Sequence, residues 1–422
     1  MKDICPACSH LVGERPSGVE GPLFFLQPNE GVCPSFPRLT PAGAHVSVRP
    51  GLLPAPQEAL PLANIPLRKG GPAARIAVLP GDGIGREVTP ESVKVLHAAV
   101  KRPMEFVDLD WGAEKFLREG VTLPPGAIEM LRDEFDAILF GALGDPRVPS
   151  NQHAADILLG LRFQLDLYVN ARPVELLHDR LTPLRNRTAR DIRLIVFREN
   201  TEGLYVGVGG IFKKGTPDEV AVQEDMNTRK GVERIIRYAF EYARQHHLKR
   251  LCMSDKSNAM TFAHGLWQRV FKLIRQEYPE IESRHLYIDT LAMEIVRDPS
   301  QFDVIVTCNL FGDIVSDLGA QLAGGLGLAP SGNIHPGATS LFEPVHGSAP
   351  NIAGKGIANP LGSVLTSGMM LDFLGWEKEA ALLKDAVRAA LQVNRVTPDL
   401  GGELQTAAVG DWLAEYVAKN AS

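Results

Sequence analysis

Arg75-Ile76-Ala77-Val78-Leu79-Pro80-Gly81-Asp82-Gly83-Ile84-Gly85 carries a short apolar run into a glycine turn, and Glu87 to Val100 then repeats apolar residues at helical spacing. A strand, a loop and an amphipathic helix in that order form the opening unit of an α/β fold. The glycines invite comparison with a dinucleotide fingerprint. Their spacing, however, is G-x-G-x-G rather than G-x-G-x-x-G, and no acidic residue follows a second strand in the expected register. The unit is therefore not a Rossmann fold. Strand-like runs at Ala137 to Phe140, Leu194 to Phe197, Arg250 to Met253 and Val304 to Thr307 alternate with helical patterns. Within 231–246, Val232, Ile235, Ile236, Ala239, Phe240 and Ala243 make one apolar stripe, which reads as core or subunit interface.

Bulk composition narrows the function classes. A chain of 422 residues, 45% hydrophobic and 22% charged, can bury a large core in two lobes. Its net charge of −6 offers no general attraction to nucleic acid or anionic lipid, so any bound anion must be caught by local arginines. The apolar stretches at 324–330 and 361–374 are too short or too interrupted by Gly and Ser to cross a bilayer. Five scattered cysteines suit a reducing compartment, and the expectation is a cytoplasmic protein. Cys5-Pro-Ala-Cys8, with His10 and Cys33, has the spacing of half a zinc knuckle, but without a second close pair it reads as accidental. Residues 1–73 are rich in Pro and Gly and show neither a helical nor a strand period, so an irregular, disordered extension is expected there.

Several chemistry-bearing side chains stand where apolar runs end. Asp313 and Asp317 lie four apart at the start of a helical pattern that follows Val304 to Gly312, which places two hard oxygen donors on one helix face. Paired aspartates on a helix are more often a solvated face, so the pair gains meaning only from its surroundings. Arg162, Arg172 and Arg198 are candidates to grip carboxylates in two-point fashion, Arg198 at the carboxyl end of a strand-like run. Tyr205 follows on the same loop as a possible proton donor. Lys256 in Ser254-Asp255-Lys256-Ser257-Asn258 and Asp289 in His285-Leu286-Tyr287-Ile288-Asp289 close two further runs. A lysine among arginines and a cation loses its proton more easily and can act as a general base.

Taken together, Gly81 to Gly85, the three arginines, Arg198-Glu199-Asn200-Thr201-Glu202-Gly203, Lys256, Asn309 to Asp317, Glu343-Pro344-Val345-His346-Gly347-Ser348-Ala349-Pro350 and Gly354 to Pro360 resemble the β-decarboxylating dehydrogenases. That family includes isocitrate, 3-isopropylmalate, homoisocitrate and tartrate dehydrogenases. The resemblance runs in order from about residue 74 to the C-terminus. It implies a two-lobed α/β fold with a nucleotide-binding lobe at 74–167 plus 325–422 and a dimerisation and metal/catalytic lobe at 168–324. It further implies that Arg162, Arg172 and Arg198 clamp the malate carboxylates. Asp313 and Asp317, joined by Asp289 of the partner subunit, would hold Mg²⁺ or Mn²⁺ against the substrate. Lys256 of the partner subunit would take the hydroxyl proton, and Tyr205 would protonate the enolate. A homodimer or larger assembly with shared sites is expected accordingly.

By the same resemblance, His346, Gly347, Ser348, Ala349, Pro350, Asn351, Ile352, Ala358 and Asn359 lie along the adenosine of the cofactor. Asn351 replaces the aspartate of NAD-using members and introduces no basic residue, which favours NAD. Substrate choice turns on the residues before Arg162, where Leu158 and Leu159 offer an apolar wall and Asp156 opposes an added carboxylate. Equally, the two leucines could simply be core. Ala155 stands where isopropylmalate enzymes carry an acid, and Arg198 to Gly203 and Leu326 to Ile334 read more like homoisocitrate and tartrate members. The expected substrate is 3-isopropylmalate, ahead of homoisocitrate, tartrate, malate or isocitrate. A regulatory subunit that binds without turnover is the non-enzymatic alternative, disfavoured because the motif residues are all present.

Overall fold

The computed structural model describes residues 73–421. The expected extension and the Cys5, Cys8, His10 and Cys33 grouping lie outside the described residues. β1 (Ala74–Gly81), β2 (Met104–Asp108) and β3 (Ala137–Ala142) come first, followed by β4 (Val169–Glu175) and β5 (Arg193–Glu199). A hairpin of β6 (Gly209–Phe212) and β7 (Val220–Gln223) precedes β8 (Arg250–Asp255), β9 (Glu282–Tyr287) and β10 (Val304–Thr307), and β11 (Pro330–Ile334) and β12 (Ser340–Pro344) close the series. The expected strands are present, each matched or extended by one to three residues.

Ten of these strands form one sheet in the order β2-β1-β3-β12-β11-β4-β5-β10-β8-β9. Neighbours are parallel from β2 to β12 and again from β5 to β9. The three junctions between, β12–β11, β11–β4 and β4–β5, are antiparallel. Three reversals leave the two parallel halves running in opposite directions. Helices cover both faces, as parallel strands require.

Side-chain alternation decides where the core ends and the site begins. On β1, Ile76 and Val78 join one apolar cluster while Ala77 and Leu79 join another. On β5, Ile195 and Phe197 join the first cluster, but Leu194 and Val196 join a third. One face of the sheet is thus covered by a single core that reaches from β1 to β10. The other face carries two separate clusters, one over each half. The helix Arg229–Gln245 supplies the predicted stripe to the continuous core, with Val232, Ile235, Ile236, Ala239, Phe240 and Ala243 all buried. Its start is held by Thr228, whose side chain accepts from the Gly231 N–H at 3.0 Å. Among the described residues no helix is long and apolar enough to cross a membrane.

Candidate active site

The interval between the two smaller clusters is filled by polar side chains from the four central strands. Arg172 lies on the same face of β4 as Val174, and Arg198 on the same face of β5 as Val196. Glu343 shares the face of Leu341 on β12, and Ser331 and Asn333 project from β11 opposite Ile334. Between the clusters these strands therefore present polar side chains, and all of them except Glu343 and Arg172 are at most 1% exposed. Buried polar groups on this scale must satisfy one another or a ligand.

The helix Asn309–Leu322 lies over this strip and completes the cluster. It can approach closely because Gly312 faces Arg198; a Cβ there would sit 2.5 Å from the Arg198 Cβ. Arg198 Nε donates to Asn309 Oδ1 at 2.8 Å and its Nη1 donates to Asp313. Arg172 Nη1 donates to Ser316 Oγ at 2.8 Å and Asp317 Oδ1 at 2.9 Å, and lies 3.1 Å from Asp313 Oδ1. Tyr205 donates its hydroxyl proton to Asp313 Oδ2 at 2.8 Å, with the Arg198 guanidinium 5.1 Å from its ring centre. Arg162, on the helix Gln152–Gln164, donates to Glu343 Oε1 at 2.9 Å. The Nε atoms of Arg162 and Arg172 are buried and have no hydrogen-bond partner. Three guanidiniums with unspent donors form a receptor for a small polyanion.

Electrostatics within the cluster follow from this crowding. Burial opposes charge on Asp313, but Arg198 and Arg172 outweigh it and hold the carboxyl below its ordinary range. Asp317 is pushed the other way, chiefly by burial, with Arg172 offsetting only part. Burial and the hydrogen bond to Asp313 raise the Tyr205 phenol, so it keeps its proton through neutral pH. Arg198, buried beside Arg172, is drawn down to about 10 and remains charged.

Lys256 and Asp289 are not part of this cluster. Lys256 Nζ donates to Asp289 Oδ1 at 2.8 Å, and both are partly exposed. That contact lowers the Asp289 carboxyl. The Lys256 backbone N–H donates to His264 Nδ1 at 2.8 Å, and neighbouring Asp255, 1% exposed, accepts from the Ser257 N–H and faces His285. Among the described residues no group of three or more His, Cys, Asp or Glu side chains is placed to hold a metal ion. A single chain brings together two of the three expected metal ligands and leaves the third with Lys256. The donor set at Asp313 and Asp317, paired hard carboxylates with Asp317 half exposed, fits an oxygen-seeking divalent cation that has further ligands to gain.

The loop expected to cradle the nucleotide packs on the turn after β1. Ile84 N–H donates to Ser348 O at 2.9 Å, and a Cβ on Gly83 would fall 2.1 Å from that oxygen, so the turn admits only glycine there. Glu87 accepts from the Gly354 and Gly356 N–H groups at 2.7 and 3.0 Å and ties the loop to the first helix. His346 Nε2 is buried without a partner, and burial lowers the ring's pKa, leaving a neutral imidazole with an unspent nitrogen. Ala349 adopts φ 41°, Asn351 is exposed, and Ala358 is fully buried. Asn359 is committed to structure, accepting from the Leu361 N–H at 3.0 Å and donating to Asp399 at 2.9 Å.

The two leucines are separated by the structure. Leu158 packs against the first-half cluster, whereas Leu159 is half buried and belongs to none of the clusters. Sequence reasoning missed Glu343 as the partner of Arg162 and Asn309 as the partner of Arg198. It also missed the chain in which Asn333 joins Asn170, Asn200 and Glu343 through hydrogen bonds of 3.1, 2.9 and 2.8 Å. The available signal was polar residues at alternate positions of otherwise apolar strands, Asn170 and Arg172, then Ser331 and Asn333.

The isocitrate/isopropylmalate dehydrogenase family matches residues 75–413. The chain is 46% identical over 350 residues to a 3-isopropylmalate dehydrogenase of Thermobifida fusca, covering 82% of this chain and 98% of that one. It is 47% identical over 340 residues to a 3-isopropylmalate dehydrogenase of Corynebacterium jeikeium, covering 80% and 98%. Among solved structures it resembles isocitrate dehydrogenase from Methylococcus capsulatus, with a TM-score of 0.75, 37% identity and coverage of 82% and 99%.

Proposed function

The chain belongs to the isocitrate/isopropylmalate dehydrogenase family, and on that premise we propose that it catalyses NAD-dependent oxidative decarboxylation of 3-isopropylmalate to 4-methyl-2-oxopentanoate, a step of leucine biosynthesis. The observation that carries this is the buried strip in which Arg162, Arg172 and Arg198 converge with Asp313, Asp317 and Tyr205. When bound, NAD accepts a hydride and Mg²⁺ or Mn²⁺ acts as a Lewis acid on the substrate's oxygens. Asp313 and Asp317 would hold the cation, with Asp289 of the partner subunit. Arg162, Arg172 and Arg198 bind the two carboxylates and orient the C2–H bond toward the nicotinamide. Lys256 of the partner subunit takes the hydroxyl proton. Tyr205, kept protonated by burial and Asp313, delivers a proton to the carbon that loses CO₂. His346, the loop from Gly347 to Ile352, Ala358 and Asn359 would hold the nucleotide.

A homodimer with shared sites follows from the same reading. What supports it is the apolar surface left uncovered, including Phe212 at 67%, Met293 at 64% and Ile314 at 55% exposed, the last beside Asp313 on the same helix. The division into lobes at 74–167 plus 325–422 and 168–324 is supported by the break between the two second-face clusters. The test is NADH appearance with Mn²⁺ against a panel of 3-isopropylmalate, isocitrate, homoisocitrate, tartrate and malate. The highest kcat/KM is expected for 3-isopropylmalate. A higher value for any other diacid would overturn the substrate, and no turnover across the panel would overturn the enzyme reading.

A further inference from the structure

His153 is 0% exposed and Asp82 4%, and neither has a part in the chemistry above. His153 Nε2 lies 2.8 Å from Asp82 Oδ2; the carboxylate has only acceptors, so the imidazole donates. The other contacts of Asp82 make it a junction. Its Oδ1 accepts from the Ala113 N–H at 2.7 Å and its Oδ2 also accepts from the Gly144 N–H at 3.0 Å. Asp82 therefore fastens three segments to the turn after β1, and that turn is the one whose Ile84 N–H holds Ser348 of the nucleotide loop.

The segment fastened through His153 is the start of the helix Gln152–Gln164, which carries Leu158, Leu159 and Arg162. This start is poorly secured by local means. Ser150 and Asn151 both adopt left-handed backbone, at φ 53° and 50°, and no side chain caps the first turn. The Asn151 amide oxygen is used elsewhere, accepting from the Asp145 N–H at 3.0 Å. His153, Ile157 and Leu161 form the buried stripe of the helix, so His153 is the polar head of an apolar face, its ring stacked on Phe116. Leu158 and Leu159 stand about 8 Å further along the axis at 1.5 Å per residue, close enough for a small tilt at the start to displace them.

We propose that the Asp82–His153 hydrogen bond is a clasp that sets the orientation of the helix Gln152–Gln164 and thereby the shape of the pocket for the substituent on the 2-hydroxy diacid. Both are positioning residues, and the clasp relates that pocket to the nucleotide loop through a common turn. The inference rests on the reading that this helix lines the diacid site. The carboxylates are gripped by three arginines, two of them on strands, so a tilt of one helix weakens recognition of the substituent more than recognition of the shared malate head.

The experiment compares His153→Leu, which fills the space but cannot donate, with His153→Gln, whose amide N–H reaches the position of Nε2. For His153→Leu, KM for 3-isopropylmalate should rise roughly tenfold while KM for malate stays within about twofold and kcat within about threefold, the size of effect a lost apolar contact gives. His153→Gln should recover most of the difference. Equal losses on both diacids, unchanged KM values in a folded enzyme, or no recovery by His153→Gln would overturn the clasp, since packing alone alters stability without altering the ratio. Should His153→Leu fail to fold, His153→Asn, too short to reach Asp82, takes its place. If the wild type prefers another diacid of the panel, the substrate reading falls, and the clasp is judged by the same ratio for that diacid against malate.

Discussion

The arginine–aspartate strip over the central strands and the Lys256–Asp289 pair answer the same problem, where to keep reactive charge, in opposite ways. In the strip, charge is buried and interlocked. Arg172 touches Ser316, Asp317 and Asp313, Arg198 touches Asn309 and Asp313, and side-chain exposure falls to 2% at Arg198. Lys256 and Asp289, with 28% and 60% of their side chains exposed, pair with each other, the ammonium also lying 5.9 Å from the centre of the Tyr287 ring. Burying a charge makes it dependent on its neighbours, whereas an exposed pair is separable at little cost. The strip is thus preorganised, and the exposed pair is free to exchange partners. Substitutions in the two regions should differ in how activity and stability change together.

Lys256→Ala should produce the largest loss of activity with the smallest loss of stability. A positioned general base contributes roughly 10²- to 10⁴-fold, so kcat should fall about 10³-fold, while an exposed pair contributes little to folding. Steady-state rates and a thermal melt on the same preparation check both halves. Retained turnover would break the base assignment; a melt lowered by ten degrees or more would break the contrast with the strip.

Asp313→Asn should lose both together. kcat/KM should fall about 10²-fold as the proposed cation ligand is lost, and folding should weaken by about 2 kcal/mol because Arg198 is left buried beside Arg172 without its counter-charge. The sign of the pH dependence follows from the lowered carboxyl of Asp313. Its stabilisation is fully present above the unfolded value of about 3.9 and is lost as pH falls through the lower folded value. Urea titrations of wild type and variant should therefore differ at pH 7 and converge below about pH 4. A gap that widens in acid would contradict the arginine contacts. Tyr205→Phe sits between these cases. It removes one hydrogen bond to Asp313 and the proposed proton donor, so kcat should fall about 10²-fold with KM little changed, read from NADH and CO₂ release in parallel.

The parallel strands were legible because β-branched, doubly buried runs such as Val304 to Thr307 and Leu194 to Phe197 have few alternatives. Arg198, Asp313 and Asp317 were legible because they stand where those runs end. Asn170, Asn200, Asn333 and Glu343 were not, since their role depends on the antiparallel junction of β11 with β4, which brings Asn333 to Asn170 across 163 residues of chain and which local periodicity does not encode. His153 was hidden for a similar reason. It occupies an apolar position of a helical stripe, and its partner Asp82 is 71 residues away. The contact of Lys256 with Asp289 was unforeseen because the two residues are 33 apart in the chain and stand at the ends of different strands.

The smallest effect, and the finest test of how substituent recognition differs from charge recognition, concerns Leu158 and Leu159. Adjacent on one helix, they point about 100° apart, and only Leu158 joins the apolar cluster that packs under the first half of the sheet. Leu158→Asn should therefore act on folding, costing about 1–3 kcal/mol by placing a polar group in that partly buried apolar contact. Leu159→Asn should act on the substrate instead. KM for 3-isopropylmalate is expected to rise about fivefold relative to malate, at the lower end of what one apolar contact gives, with the melting temperature within about two degrees of wild type. If the two substitutions exchanged these effects, Leu158 would be the residue facing the isopropyl group. If both left the diacid ratio unchanged, the wall would lie elsewhere, and with it the structural basis for preferring a branched diacid.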